Sequence, residues 1–355
     1  MNILITGGAG FVGGNLAIKF AAEGHNILCL DNMVRRGTEL NLQRFLKFKN
    51  ISFAHGDIRN EEDLCNLNFK ADVVLECAAQ PSAIDGYANP YYDFANNTLG
   101  LMNVLEYCRK NDAGMIFWST NKAYDGDLCN SVPVIEGPTR YEWDPNKDFQ
   151  LTGWTEKGFN EKLDVNGGNH SIYGVSKIAA DLLCQEWSSA FDIPIICNRF
   201  SCLYGPHQFG KVSQGWVAWF VLAKLLNKPI TYYGFKGKQV RDCLHIDDIH
   251  SLIEKQANDL DNHRGSYYNV GGGPDNSVSL IETNDMLNNM LDINQEQDNG
   301  YDSRQRRADQ ILYISDISKV CKDFDWKPEV SVEQGLESVI SWANDGLDVL
   351  QGLYF

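Results

Sequence analysis

The chain has 355 residues, 43% of them hydrophobic, with eight Trp and fifteen Tyr; that is enough apolar material for one large domain or for a core plus a smaller lobe. A net charge of −16 and the lack of any long Lys/Arg run argue against nucleic acid as a partner. The start MNILITGGAG enters a strand without a basic leader, and no apolar stretch approaches the ~20 residues of a membrane span, so a cytoplasmic protein with no membrane partner is expected.

Taken in chain order, NILIT (Asn2 to Thr6) reads as a buried strand, followed by an amphipathic run from Gly10 to Glu23. A second strand, NILCLD, ends in Asp31; Leu recurs at helical spacing from Leu40 to Phe48, and ISFAHGD follows as a third strand. ADVVLECAA, a long helical pattern from Tyr91 to Asn111, and the strand GMIFWST complete the series. Apolar runs that alternate with helical periodicity predict βαβ units and therefore an α/β, doubly wound, mainly parallel sheet. From Asp125 to His170 the pattern breaks into Pro, Gly, Asn, Asp and Trp, which predicts an irregular insertion, ordered by its aromatic residues, that covers the site. Beyond Arg199 the alternation loosens, as expected of a smaller lobe spanning mainly 201–355 against a core spanning mainly 1–200. Ten Cys stand singly, with no CxxC pair and no His at finger spacing, so neither a disulfide framework nor a metal site is expected.

The first chemical motif is TGGAGFVGG, which sets Gly7, Gly10 and Gly13 between a strand and a helix. A pyrophosphate must approach the backbone closely at a helix N-terminus, where free N–H groups and the dipole hold anions, and glycine permits that approach. Asp31 ends the next strand, where a carboxylate can accept from both ribose hydroxyls and repel a 2′-phosphate. The pattern predicts a Rossmann-type domain that binds NAD. Arg35 and Arg36 keep NADP open as an alternative. Asp57 is placed either for the adenine edge or to cap the helix that begins near Glu61.

The second motif is Tyr173 with Lys177, four apart and therefore on one helix face. An adjacent ammonium favours the ionised phenol, which would let Tyr173 act as a base although an isolated phenol has a pKa of about 10. Its helix follows the fifth strand, so Tyr173 can meet Thr120 at the sheet edge. Tyr232 with Lys236 repeats the spacing, but that stretch leaves a strand for a glycine turn, so it reads as structural.

TGGAGFVGG, Asp31, CAAQ, NNTLGLMNVLE, STNKAY, Tyr173 with Lys177 and VRDCLHIDD together resemble an extended short-chain dehydrogenase/reductase acting on nucleotide sugars, over nearly the whole chain. Within that superfamily STNK, TRY, QGWVAWF, GKQVRD and YNVGGG are similar to the CDP-paratose (CDP-tyvelose) 2-epimerase group. The resemblance implies that Thr120 hydrogen-bonds the sugar hydroxyl, that Tyr173 takes its proton, and that Lys177 holds the nicotinamide ribose. NAD contacts are implied for Gly7, Gly10, Phe11, Val12, Gly13, Asp31, Asn32, Arg36, Asp57, Ile58, Ala78, Ala79, Gln80 and Asn97. Asn97 would orient the helix backbone near the lysine, a helix N-cap being the alternative.

On the substrate side the resemblance implies Asn121, Lys122, Arg140, Ser201, His207, Gln208, Arg241 and Arg306 as contacts. Arg241 and Arg306 would clamp the diphosphate, a geometry that suits the guanidinium fork. His245 reads as structural. Two departures stand out: His207 occupies a place where many relatives carry arginine, and Tyr124 is followed by Asp125 instead of glycine. Both bear on which base and sugar are bound. The implied activity is C2 epimerisation of a CDP-deoxyhexose in cell-surface polysaccharide precursor synthesis, by a homodimer or homotetramer. The alternatives are a 4,6-dehydratase or 4-epimerase of the same fold, and a non-catalytic NAD-binding regulator.

Overall fold

The structure, a computed structural model, describes residues 1–293 and 300–354. Two compact units emerge, each assembled from separated stretches of chain. The first comprises Met1–Thr120, Ile172–Arg199 and Ile249–Tyr268; the second comprises Asn121–Ser171, Phe200–Asp248 and Asn269–Phe355.

In the first unit the expected strands form where the apolar runs predict them: β1 (Asn2–Thr6), β2 (Asn26–Asp31), β3 (Ile51–His55), β4 (Val73–Glu76) and β5 (Gly114–Thr120). All seven residues of β5 are buried, as a strand covered on both faces requires. With Ile195–Phe200 and Tyr267–Val270 they make a seven-stranded sheet in the order Tyr267–Val270, Ile195–Phe200, β5, β4, β1, β2, β3. β1 pairs in parallel with both β2 and β4, so the chain reverses its direction of winding between β1 and β4. That reversal opens a ligand crevice beyond the carboxyl ends of those two strands. Leu4, Val74, Val104, Leu105, Met115 and Ile195 fill the core beneath it.

The first helix, α1 (Phe11–Ala22), lies within the expected run. Two departures are local. The second helix spans Thr38–Phe45, ending before Leu46, which is exposed. The long Tyr91 to Asn111 pattern proves to be a short helix (Pro90–Phe94), a π-helical turn (Ala95–Leu99) and a longer helix (Gly100–Asn111). Such a turn inserts an extra residue without breaking the rod, and it tends to occur at functional sites.

The second unit has its own core of Tyr204, Val217, Val221, Ile230, Leu336 and Val339 around a four-stranded sheet that includes Cys202–Tyr204 and Val240–His245. The insertion belongs to this unit. Its strands Val134–Glu136 and Tyr141–Trp143 form one ribbon, and Trp154–Thr155 with Gly158–Phe159 forms another. Trp143 meets Trp154 and Phe159 edge-on at 5.7 and 5.6 Å, and Phe159 stacks on Tyr313 at 5.4 Å. The Phe159 N–H donates to the Ile314 carbonyl at 2.8 Å. Aromatic contacts thus join the two ribbons, which are too short for a period-2 signal to show. Among the described residues, no helix is long and apolar enough to cross a membrane.

Candidate active site

At the carboxyl end of β1 the chain enters the glycine loop, where Gly7, Gly8 and Gly13 leave no room for a Cβ. Gly7 has φ +61°, and a Cβ there would sit 2.9 Å from the Ala78 backbone; a Cβ on Gly13 would lie 2.4 Å from the Gly7 carbonyl. Helix α1 then starts at Phe11 with Gly10 as an N-cap that offers no side-chain acceptor. The first N–H groups of the helix, those of Phe11, Val12 and Gly13, thus have no intrahelical partner. A bare backbone cradle with a positive dipole end suits a pyrophosphate.

Asp31 closes the far side of the loop, accepting from the Ala9 N–H at 3.0 Å and the Met33 N–H at 2.8 Å. Burial raises its pKa, and those amides act in the opposite sense. The Gly10 N–H acts on the same carboxylate, whose remaining acceptor capacity is available to a ribose. Asn32 donates to Asp57 at 2.9 Å, and the Arg59 fork holds Asp57 far below the usual carboxylate range. Asp57 is not the helix cap: Asn60 is, accepting from the Glu62 N–H ahead of Glu61–Cys65. Ile58 is buried, while Arg36 is exposed on the loop after Asp31. These residues fit a dinucleotide.

Thr120 is the last residue of β5, and the Ile172–Phe191 helix carries Tyr173 and Lys177. The Thr120 hydroxyl and the Tyr173 phenol share a hydrogen bond. Burial pushes the phenol up to about 12, while the Thr120 contact works to lower it. Lys177, one helical turn further on, is buried with its ammonium 4.3 Å from the Phe117 ring centre. Burial lowers the lysine pKa, and Glu76, at the end of β4, is the strongest influence in the other direction.

Asn97 sits in the π-helical turn, so it is no helix cap. Its amide accepts from the Gln80 N–H at 2.8 Å and donates to the Ser176 hydroxyl at 3.0 Å, joining the loop after β4 to the residue beside Lys177. Gln80 and Ser176 also meet on the buried Asp93, each at 2.5 Å. Ala78 faces Gly7, and Ala79 links it to Gln80. Below this layer, Ser119 donates to Asp181 at 2.7 Å, and Asp181 also holds Arg199 in a buried ion pair at 2.9 Å. Glu76, Asp93 and Asp181 escape the sequence reading. The acidic residue within the apolar run VVLEC was the one available signal for Glu76.

In the second unit, a partly buried Asp309 gathers the cations. It accepts from Lys122 Nζ at 3.2 Å and from Arg241 at 2.7 Å. Burial raises the Asp309 pKa, but Lys122, Arg241 and Arg306 overcome it and hold the group ionised. Arg306 lies over the Tyr233 ring at 4.6 Å and donates to the Val212 carbonyl. Asn121 is buried in the short turn Asn121–Ala123.

The other residues expected to contact the substrate have partners of their own. Arg140 donates to the Ser277 hydroxyl at 2.8 Å and pairs with Glu282 at 3.4 Å, at the start of the Leu280–Met290 helix. Ser201 is bonded to Asp242, and Gln208 is buried, donating to the Leu203 carbonyl. His207, at φ +66°, lies 5.3 Å from the Trp342 ring. His245 bonds to Ser338 at 3.0 Å. In the repeated pair, Tyr232 packs into the core from a strand, whereas Lys236 reaches Glu136 at 3.1 Å, so the two do not share a helix face.

Known proteins resemble this chain in both sequence and fold. The sequence profile of the NAD dependent epimerase/dehydratase family matches residues 3–271. A CDP-paratose 2-epimerase from Salmonella typhi is 35% identical, the match covering 97% of this chain and 99% of that protein. Among solved structures, Pal from Bacillus thuringiensis superposes with a TM-score of 0.81 at 25% identity, covering 97% of this chain and 99% of that one. A dTDP-glucose 4,6-dehydratase from Bacillus anthracis, solved in complex with NAD, gives 0.76 at 25% identity, covering 99% of each chain.

Proposed function

This chain belongs to the NAD dependent epimerase/dehydratase family, and on that premise we propose that it epimerises C2 of a CDP-linked deoxyhexose, supplying a precursor for cell-surface polysaccharide. NAD bound in the glycine cradle supplies the acceptor and donor of a hydride. The protein's own residues do the rest. Thr120 holds a sugar hydroxyl, and Tyr173, as phenolate, takes that hydroxyl's proton as the carbon is oxidised. After the ketone has turned, the same phenol returns the proton, so no net proton is gained or lost. Among the described residues, Lys122, Arg241 and Arg306 all act on the Asp309 carboxylate, a set of cations suited to a diphosphate.

The observation that carries the choice of epimerase over dehydratase lies in the two residues after Thr120. Elimination of a 6-hydroxyl needs an acid for the leaving group and a base for the C5 proton. Here those positions hold Asn121, an amide that cannot exchange a proton near neutrality, and Lys122, whose ammonium is tied to Asp309. The test is to incubate the purified protein with CDP-paratose and with a CDP-hexose that keeps its 6-hydroxyl, and to follow both by NMR. Inversion at C2 of the first supports the proposal. Formation of a 4-keto-6-deoxy sugar from the second overturns it.

A further inference from the structure

Glu76 is a buried carboxylate with no part in the chemistry described so far. It ends β4, in register with Thr6 of β1 and Phe117 of β5, and is 1% exposed. One of its oxygens has no hydrogen-bond partner, while the side chain is bonded to Thr6. A carboxylate in such a place is costly unless an opposite charge compensates it. That charge is Lys177, itself 2% exposed, whose ammonium lies over the face of Phe117, the β5 neighbour of Glu76. The other ionisable groups around the pair are Cys77 beside Glu76, Cys184 and Asp181 on the helix of Lys177, Cys108 on the helix before β5, and Asp93 before the π-helical turn. Burial holds Cys77, Cys108, Cys184 and Asp93 toward their neutral forms.

We propose that Glu76 is a positioning residue for the reaction: its carboxylate keeps the buried Lys177 amine protonated and aimed at the catalytic layer. The inference rests on the reading of Tyr173 as the proton acceptor, because a neutral lysine would leave the phenolate with no nearby cation. The signs follow from the two shifts. Burial raises the Glu76 pKa to about 7, so the carboxylate is present above that pH and lost below it. Burial lowers the Lys177 pKa and Glu76 raises it, so removing the carboxylate makes the amine shed its proton at a lower pH.

The experiment is the pH dependence of kcat for the holoenzyme in wild type, Glu76→Gln and Glu76→Asp, with Tyr173→Phe alongside. In Glu76→Gln the alkaline limb should move down by about one to three pH units, the range an adjacent opposite charge produces. The acid limb near pH 7 should vanish, and Glu76→Asp should recover part of both. A Glu76→Gln profile superimposable on wild type, while Tyr173→Phe is inactive, would overturn the inference and leave the Tyr173 reading intact. Full activity in Tyr173→Phe would instead overturn that reading. If Glu76→Gln does not fold, thermal unfolding of Lys177→Met and of the Glu76→Gln/Lys177→Met double variant decides. A double variant that folds where Glu76→Gln does not supports the pairing, and one that fails to fold although Lys177→Met folds contradicts it.

Discussion

The two units treat buried charge in opposite ways. In the first, each buried cation near the site has an anion of its own: Arg199 is paired with Asp181, and Lys177 answers to Glu76. In the second, among the described residues, Lys122, Arg241 and Arg306 all act on one carboxylate, Asp309. A buried pair adjusts protons within the protein, whereas cations left in excess are expensive to keep unless a ligand of opposite sign arrives. The chain carries a net charge of −16, so this local positive surplus runs against its overall composition. Under the proposed function, proton and hydride chemistry fall to the first unit and anion recognition to the second.

Substitutions can break that contrast, and the largest effect belongs to the first unit. Tyr173→Phe keeps the ring and removes the proton acceptor, so kcat should fall by roughly 10² to 10⁴ with NAD still bound. Steady-state kinetics with a cofactor measurement on the purified variant checks it. A comparable rise in KM with kcat unchanged would erase the division between the units.

Arg241→Ala should show the opposite signature. Loss of a hydrogen bond to a charged group is worth about 1.5–3 kcal/mol, which corresponds to roughly 10- to 150-fold in KM for the nucleotide sugar. Part of that change reflects Asp309 losing its closest partner, so the variant's thermal stability should be read at the same time.

A smaller effect is expected at the cofactor ribose. Asp31→Asn keeps an oxygen for one of the two loop amides and removes the charge that repels a 2′-phosphate. The preference for NAD over NADP should narrow about tenfold, equivalent to ~1.4 kcal/mol, by titration of each cofactor. An unchanged ratio would move ribose recognition away from Asp31.

The repeated Tyr232 and Lys236 pair offers the smallest effect. Tyr232→Phe should leave kcat/KM within about twofold of wild type. A loss approaching that of Tyr173→Phe would show that spacing alone, without a shared helix face, had been enough to build a site.

The same contrast explains what could be read from the chain. β1, β2 and β5 were legible because a strand buried on both faces needs an unbroken apolar run, and the glycine loop because a backbone cradle needs residues without Cβ. Thr120, Tyr173 and Lys177 could be named, since helical spacing and a strand end place them. The direction of the lysine's influence could not: Glu76 is 101 positions away in sequence, and only the register of β4 with β5 sets it under Phe117. The π-helical turn at Ala95–Leu99 was hidden for a related reason, because one added residue barely disturbs a helical pattern. In the second unit, Asp309 meets Lys122 across 187 positions, and strands of two or three residues carry no periodic signal.

The central claim is that the sugar is oxidised and re-reduced at one carbon without exchanging its hydrogen with water. It is tested most directly by giving the holoenzyme CDP-paratose deuterated at C2, with no NADH added, and measuring deuterium in the product by NMR and mass spectrometry. The account predicts an epimer inverted at C2 that retains the deuterium at that carbon. Inversion with the deuterium lost to solvent would contradict it, because the hydrogen would then have left as a proton and not as a hydride.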